Sequence, residues 1–163
     1  MSTLEVKAIQ APTGYDLQMP AGAVLQVVHG SYSSTVVTTS GSTFVATGAS
    51  ITITPKFSSS KILVMFNQHM KVYNTSGNDQ GAGFALKRGS TTIWSTPVEY
   101  AFYFAPDGSG HNERLYQPLT YLDSPNTTSA TTYSSYINEY GGGAAAAQSD
   151  SNPTMMTLME IAG

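Results

Sequence analysis

The residues of this chain that could do chemistry are few, and the most conspicuous are neighbours. Asp123 and Ser124 stand side by side in "YLDSPNTTSATTY", residues 121–133, a carboxylate next to a hydroxyl. A serine nucleophile needs a base within hydrogen-bond reach and a third group that orients the base, and adjacency along the chain supplies neither. The imidazoles are His29, His69 and His111, none of them in a catalytic motif, and "LDSP" lacks the glycine-flanked elbow that exposes a hydrolase serine. The reading favoured here is a structural turn made by Asp123, Ser124 and Pro125. An aspartate in first place bonds its own backbone two residues on, and Ser-Pro biases the chain away from helix.

Other combinations fall short in similar ways. "HNER", residues 111–114, contains the His-x-Glu of zinc deaminases, but that signature also requires cysteines and the chain has none. Three widely spaced histidines select no metal site. "GNDQGAGFALKRG" lacks the Gly-Lys-Ser/Thr of a phosphate cradle. Glu99, Asp107, Glu113, Asp123 and Glu139 could furnish a carboxylate pair for glycoside hydrolysis, yet nothing in their spacing picks out two. The expectation is a protein that is not an enzyme, with no catalytic residue, no cofactor and no metal.

The surface signal is stronger in "VEYAFYFAPDGSGHNERLY", residues 98–116. Here Tyr100, Phe102, Tyr103 and Phe104 precede a glycine-rich turn and the cluster His111, Glu113 and Arg114. Rigid rings beside adaptable polar groups suit glycan or protein contacts, so these seven are candidate receptor or partner contacts. The plainer alternative is a core strand followed by a loop.

Composition narrows the partners. Charged residues make up 10% of the 163, far below the roughly one quarter of ordinary domains, and the polarity comes from Ser and Thr. Seven Lys and Arg against ten Asp and Glu give a net charge of −3 with no basic cluster, which argues against nucleic acid. Without cysteine the fold rests on packing alone. The N-terminus lacks a signal peptide's basic start and apolar stretch, and no apolar run reaches the roughly 18 residues of a spanning helix. A product made in the cytosol, without membrane insertion, is expected.

The elements that must position these residues read as strands. "VLQVVHGSYS", "FVATGASITITP" and "KILVMFNQHMKVY" are rich in β-branched and aromatic residues and bounded by Gly, Ser, Pro or Asn. In the last of them Ile62, Val64, Phe66, Met70 and Val72 recur at period two, broken only by Gln68; with Ile51, Ile53 and Leu158 they define the expected core. "GFALKRG" and "TTIWS" flank Gly89 and Ser90 as a hairpin. "RLYQPLTYLD" and "TTYSSYINEY" form a second pair, with the Asp123 stretch as the corner between neighbouring strands. "TMMTLMEIAG" looks buried on both faces. "AAAAQ", residues 144–148, is the only helix-like segment, and the three glycines before it argue against helix. The expected fold is all-β, an antiparallel sandwich of jelly-roll type over residues 21–163, with residues 1–20 as an N-terminal arm or attachment segment.

Four separated pieces, "MPAGAVLQVVHGSYSS", "ITITPKFSSSKILVMFN", "YLDSPNTTSATTY" and "TMMTLMEIAG", in this order and spacing resemble a family of virion proteins of bacteriophages, of the cyanophage and marine type, usually labelled tail-fibre or structural proteins. The resemblance covers roughly residues 18–163. It implies a homotrimeric β-sandwich module on a tail or head fibre, located in the virion, made in the bacterial host cytoplasm and concerned with host attachment. It also implies contacts with other virion proteins through the N-terminal arm, and with a host surface glycan or protein. Because a long fibre shaft is missing, a capsid decoration or cement protein is the alternative and a glycan depolymerase the outsider.

Overall fold

Alternation of apolar and hydroxyl residues, with turns every ten residues or so, leaves the chain few ways to hide its apolar face except between two sheets. The computed structural model describes residues 19–163 apart from 40, 42, 76–77, 97–100, 106 and 111. Its strands are β1 (Val24–Tyr32), β2 (Val36–Thr38), β3 (Val45–Ile53), β4 (Lys61–Tyr73), β5 (Gln80–Arg88), β6 (Thr91–Ser95), β7 (Phe102–Phe104), β8 (Asn112–Asp123), β9 (Thr131–Tyr140), β10 (Ala144–Ala147) and β11 (Thr154–Ile161). A single 3-10 turn, Ser149–Ser151, joins the last two. The expected arm at residues 1–20 lies outside the described residues except for its last two positions.

Two antiparallel sheets pack as a sandwich. The six-stranded sheet is organised around β4. On one edge β4 pairs β8 along its whole length; on the other it pairs β11 over Lys61–Asn67 and β10 over Met70–Tyr73, with β1 and β2 outside these. The five-stranded sheet runs β3-β9-β5-β6, with β7 beside β6 on the edge of β5. Between them lie Ile51 and Ile53 of β3, Ile62, Val64 and Phe66 of β4 and Leu158 of β11, all buried, together with Phe84, Tyr133, Ile137 and Met156. Phe66 and Phe84 stack across the gap at 6.0 Å between centroids, and Trp94 closes on Phe84 at 4.9 Å. The β5–β6 hairpin turns at Gly89, whose φ of 56° at the first central position suits the twist of paired strands.

Three expectations need correction. β8 and β9 do not pair: β8 belongs to the six-stranded sheet and β9 to the other, so residues 124–130 cross the sandwich. Seven residues easily span the ~10 Å between sheets. β11 is buried on one face only, where Met156, Leu158 and Glu160 point inward, while Met155 is exposed and Thr157, Met159 and Ile161 are half-buried. The alanine run is a strand, fully buried between β4 and β2. Pairing on both edges outweighs the helix preference of alanine, which is small once every backbone group has a ladder partner.

Phe66 tests the core directly. Phe66→Ala is expected to cost about 3–5 kcal/mol, read as a fall in the urea midpoint at unchanged slope. Val64→Asp places an unpaired charge in the same layer and is expected to abolish cooperative unfolding.

Candidate functional site

Asp123 is the last residue of β8, and its side chain turns into the sandwich. The carboxylate accepts two bonds from Arg88 Nη1, at 2.9 and 2.8 Å, and a third from the Tyr133 hydroxyl at 2.6 Å. Arg88 and Tyr133 both belong to the five-stranded sheet, so the group ties one sheet to the other. Instead of bonding its own backbone, Asp123 spends its acceptors across the fold. Burial pushes the Tyr133 phenol well above its ordinary value, and the bond and charge of Asp123 push the same way. The phenol remains a donor. Ser124 meets this group only through its carbonyl oxygen, 3.4 Å from Arg88. His29 Nδ1 pairs with Thr157 Oγ1 at 2.9 Å, and neither nitrogen of the His69 ring has a hydrogen-bond partner, so neither histidine serves Ser124 as a base.

A second carboxylate, which sequence reasoning passed over, sits in the same inward row. Glu160 and Asp123 both lie opposite Ile62, on its two sides. Glu160 accepts from Gln26 Nε2 at 2.6 Å and from the Lys56 backbone N–H at 2.7 Å. Burial works to raise its pKa, but the Ser60 hydroxyl, Gln26 and the Lys56 and Phe57 N–H groups outweigh it and hold the carboxyl below its usual 4.5. Two strand spacings separate the acids, with an apolar side chain between and every strong donor already engaged. They close the base of the sandwich. An acid in the midst of "TMMTLMEI" was the available signal, since a lone carboxylate survives on a buried strand only with donors built around it.

The outer face of the six-stranded sheet holds the other unusual group. Tyr116 meets the buried ring of His69 edge-on at 5.2 Å, yet both ring nitrogens lack a hydrogen-bond partner. The groups around it are Asp150 on the 3-10 turn, Arg114 on β8 and Lys71 on β4. Asp150 accepts from Arg114 Nε at 2.7 Å and lies 3.7 Å from Lys71 Nζ. Desolvation lowers the His69 pKa; Asp150 partly offsets this, while Arg114 and Lys71 add to it. The ring is held neutral.

Of the candidate contact residues, Tyr100 and His111 lie outside the described residues. Phe102 and Phe104 face the core, edge to face at 5.9 Å. Tyr103 points the other way. It lies opposite Gly81, which is opposite Tyr140, and the glycine leaves a gap across which the two tyrosine rings meet at 6.1 Å. Glu113 and Arg114 are exposed on β8, in the other sheet, with Arg114 committed to Asp150. The segment is thus divided between core, one outer face and the opposite sheet. Among the described residues no three His, Cys, Asp or Glu come together as a metal site, and no helix is long and apolar enough to cross a membrane.

No known protein family matches the chain, and no curated protein does. Solved structures that resemble it include the "Structure of infectious bursal disease virus Gx strain" (TM-score 0.40, 13% identity, 95% of this chain and 42% of that one). The subviral particle of VP2 from the same virus aligns with TM-score 0.39 and 11% identity over 97% of this chain and 42% of that one. Dimeric latent PorU from Porphyromonas gingivalis aligns with TM-score 0.40 and 12% identity over 93% and 14%. The chain spans less than half the length of each.

Two titrations check the site. Because the folded Glu160 has a lowered pKa, its contribution is complete above about 4.5 and is lost as pH falls through the folded value. Glu160→Gln is expected to cost on the order of 2 kcal/mol at pH 7, with the gap to the parent closing at lower pH; a gap independent of pH would contradict the assignment. His69 has the same sign for the opposite reason, because its neutral form is the one the fold accommodates. The contribution of His69 is level above pH 6.5 and declines below it, and His69→Leu is expected to flatten the decline between pH 7 and 5. Parallel curves for parent and variant would assign the decline to other groups.

Proposed function

We propose that this chain is a non-enzymatic structural protein of a bacteriophage virion, a homotrimeric surface module of a tail or head fibre that takes part in host attachment. The observation that carries the reading is the use made of its acids. Asp123, Glu160 and Asp150 are each tied to donors that join sheet to sheet, strand to strand or turn to strand, the pattern of a body built to hold shape. The pieces that resemble phage virion proteins support it further. Three of them contribute β1, β4 and β11, which lie side by side in one sheet, and the fourth is the crossing at Asp123. A glycan depolymerase finds no support, since the acids flanking Ile62 are saturated with donors and separated by an apolar side chain. Host contact falls to the exposed Tyr103 and its neighbour Tyr140.

The capsid-decoration reading is the second one, favoured by the two-layer body with no elongated element among the described residues. Quantitative mass spectrometry of purified particles decides between them. A few dozen copies or fewer are expected for a fibre, hundreds would indicate the capsid lattice, and absence from the particle would overturn both. For attachment, purified protein is expected to adsorb to host cells and compete with phage, and Tyr103→Ala to weaken the competition. No competition at saturating concentration would remove the attachment role.

A further inference from the structure

We infer that copies of this chain meet through the outer face of the six-stranded sheet, the Val27 margin of one against the Leu122 margin of the next. The inference rests on the self-association in the proposed function and names its surface. Strand register places twelve side chains on this face in three rows: Val27, Met159, Leu63 and Leu122; His29, Thr157, Met65 and Thr120; Ser31, Met155, Asn67 and Pro118. None is an acid, a lysine or an arginine. The first row is apolar across all four strands, and its two ends stand furthest into solvent, Val27 at 54% and Leu122 at 51% exposed. A hollow of about 250 Å³ lies in the other rows, floored by Met65 and flanked by Met155 and Pro118. Thioethers adapt their shape to whatever side chain enters such a hollow.

Size and charge select a second copy as the occupant. Strand spacing and rise give the twelve positions a plate of about 400 Å². That is the scale of the largest apolar patch on a monomer and about half of the ~800 Å² that each partner gives to a standard interface. The polar surroundings supply a rim, with Lys61 at one end and Lys71, Arg114 and Asp150 at the other. A copy brings its own charges, so a surface that meets itself is best free of Asp, Glu, Lys and Arg in its middle, and none of the twelve is one of these. Strand addition at the edge is disfavoured: Pro118 stands midway along β8, whose far edge has no partner strand among the described residues, and its missing N–H interrupts the donor row. The contact therefore crosses the face. Joining one margin to the opposite margin of the next copy is a heterologous contact, the kind that builds a ring when its rotation closes, as the proposed trimer requires.

The absence of cysteine makes the test clean. Within one chain the two margins are three strand spacings apart, about 14 Å, twice the ~7 Å that a disulfide tolerates between Cα atoms. Oxidation of the double variant Val27→Cys, Leu122→Cys is therefore expected to give covalent species larger than one chain on a non-reducing gel. By light scattering the parent is expected near three chains. Val27→Lys and Leu122→Lys are expected near one chain at unchanged circular dichroism, and Val37→Lys, equally exposed on β2, near three. A multi-chain parent whose mass survives both lysine variants, with no cross-link, would overturn this face and leave self-association standing. A parent of single-chain mass would overturn the trimer as well, while presence in the particle is read separately.

Discussion

The fold turns on how one strand serves two partners on the same edge. β4 pairs β11 as far as Asn67 and β10 from Met70 onward, which leaves the backbone of His69 facing a gap between them. Side chains fill it. Thr154 Oγ1 accepts the His69 N–H at 3.2 Å, and Gln68 Nε2 donates to the His69 carbonyl at 2.7 Å and to Thr154 Oγ1 at 2.8 Å. A buried backbone pair without partners would cost several kcal/mol, so the gap is tolerable only with a carboxamide and a hydroxyl placed there. The same carboxamide reaches the facing sheet, where the Ser135 hydroxyl donates to Gln68 Oε1 at 2.8 Å and itself meets Thr47. Gln148, oriented as its neighbours can satisfy it, donates to the Thr47 and Ser34 carbonyls and accepts from Thr154. One polar seam thus satisfies the split strand and fixes how the sheets sit on each other.

The split also divides the outer face of the six-stranded sheet. The link from β10 to β11 leaves the ladder at Gln148 and passes through Asp150 and Ser151, all three with positive φ, unfavourable for residues other than glycine. The 3-10 turn at Ser149–Ser151 brings Asp150 onto the charged end beside Arg114 and Lys71, over the buried His69. Beyond this end, from Asn67 to Leu63, the face carries no Asp, Glu, Lys or Arg. A bare plate next to a capped end is what one edge shared by two strands produces.

Much of this was legible in residue order. Runs of β-branched and aromatic residues between turn residues revealed β1, β3 and β4, and the period of two in β4 named its own core face. What alternation does not carry is pairing. "AAAA" shows no period because alanine fits either face, and its strand state is set by β4 and β2 on its two edges. "FYF" reads as one aromatic block, yet the pleat sends Phe102 and Phe104 inward and Tyr103 out. The residues that resemble a catalytic pair open a crossing between the sheets and not a corner between paired strands, and residue order could not show what Asp123 bonds, since Arg88 and Tyr133 lie 35 residues before it and 10 after it and only the crossing brings them together.

Gln68 and Glu160 carry the same lesson from the other direction. Each interrupts the inward apolar row of its strand, and only Gln68 was marked by the period. In a chain with so few charged groups, an ionisable or amide side chain inside the sandwich survives only where its donors and acceptors are matched nearly one for one. Gln68 satisfies a strand gap and Glu160 the turn at Lys56. Gln80 Oε1 and Asn138 Nδ2 are each left unmatched on side chains that are otherwise bonded, whereas the buried His69 ring has no hydrogen-bond partner at either nitrogen, and it lies where the capped end gives way to the bare plate. A neutral imidazole suits that position, since burial disfavours the charged ring and Arg114 and Lys71 add to this, with Asp150 offsetting part of it.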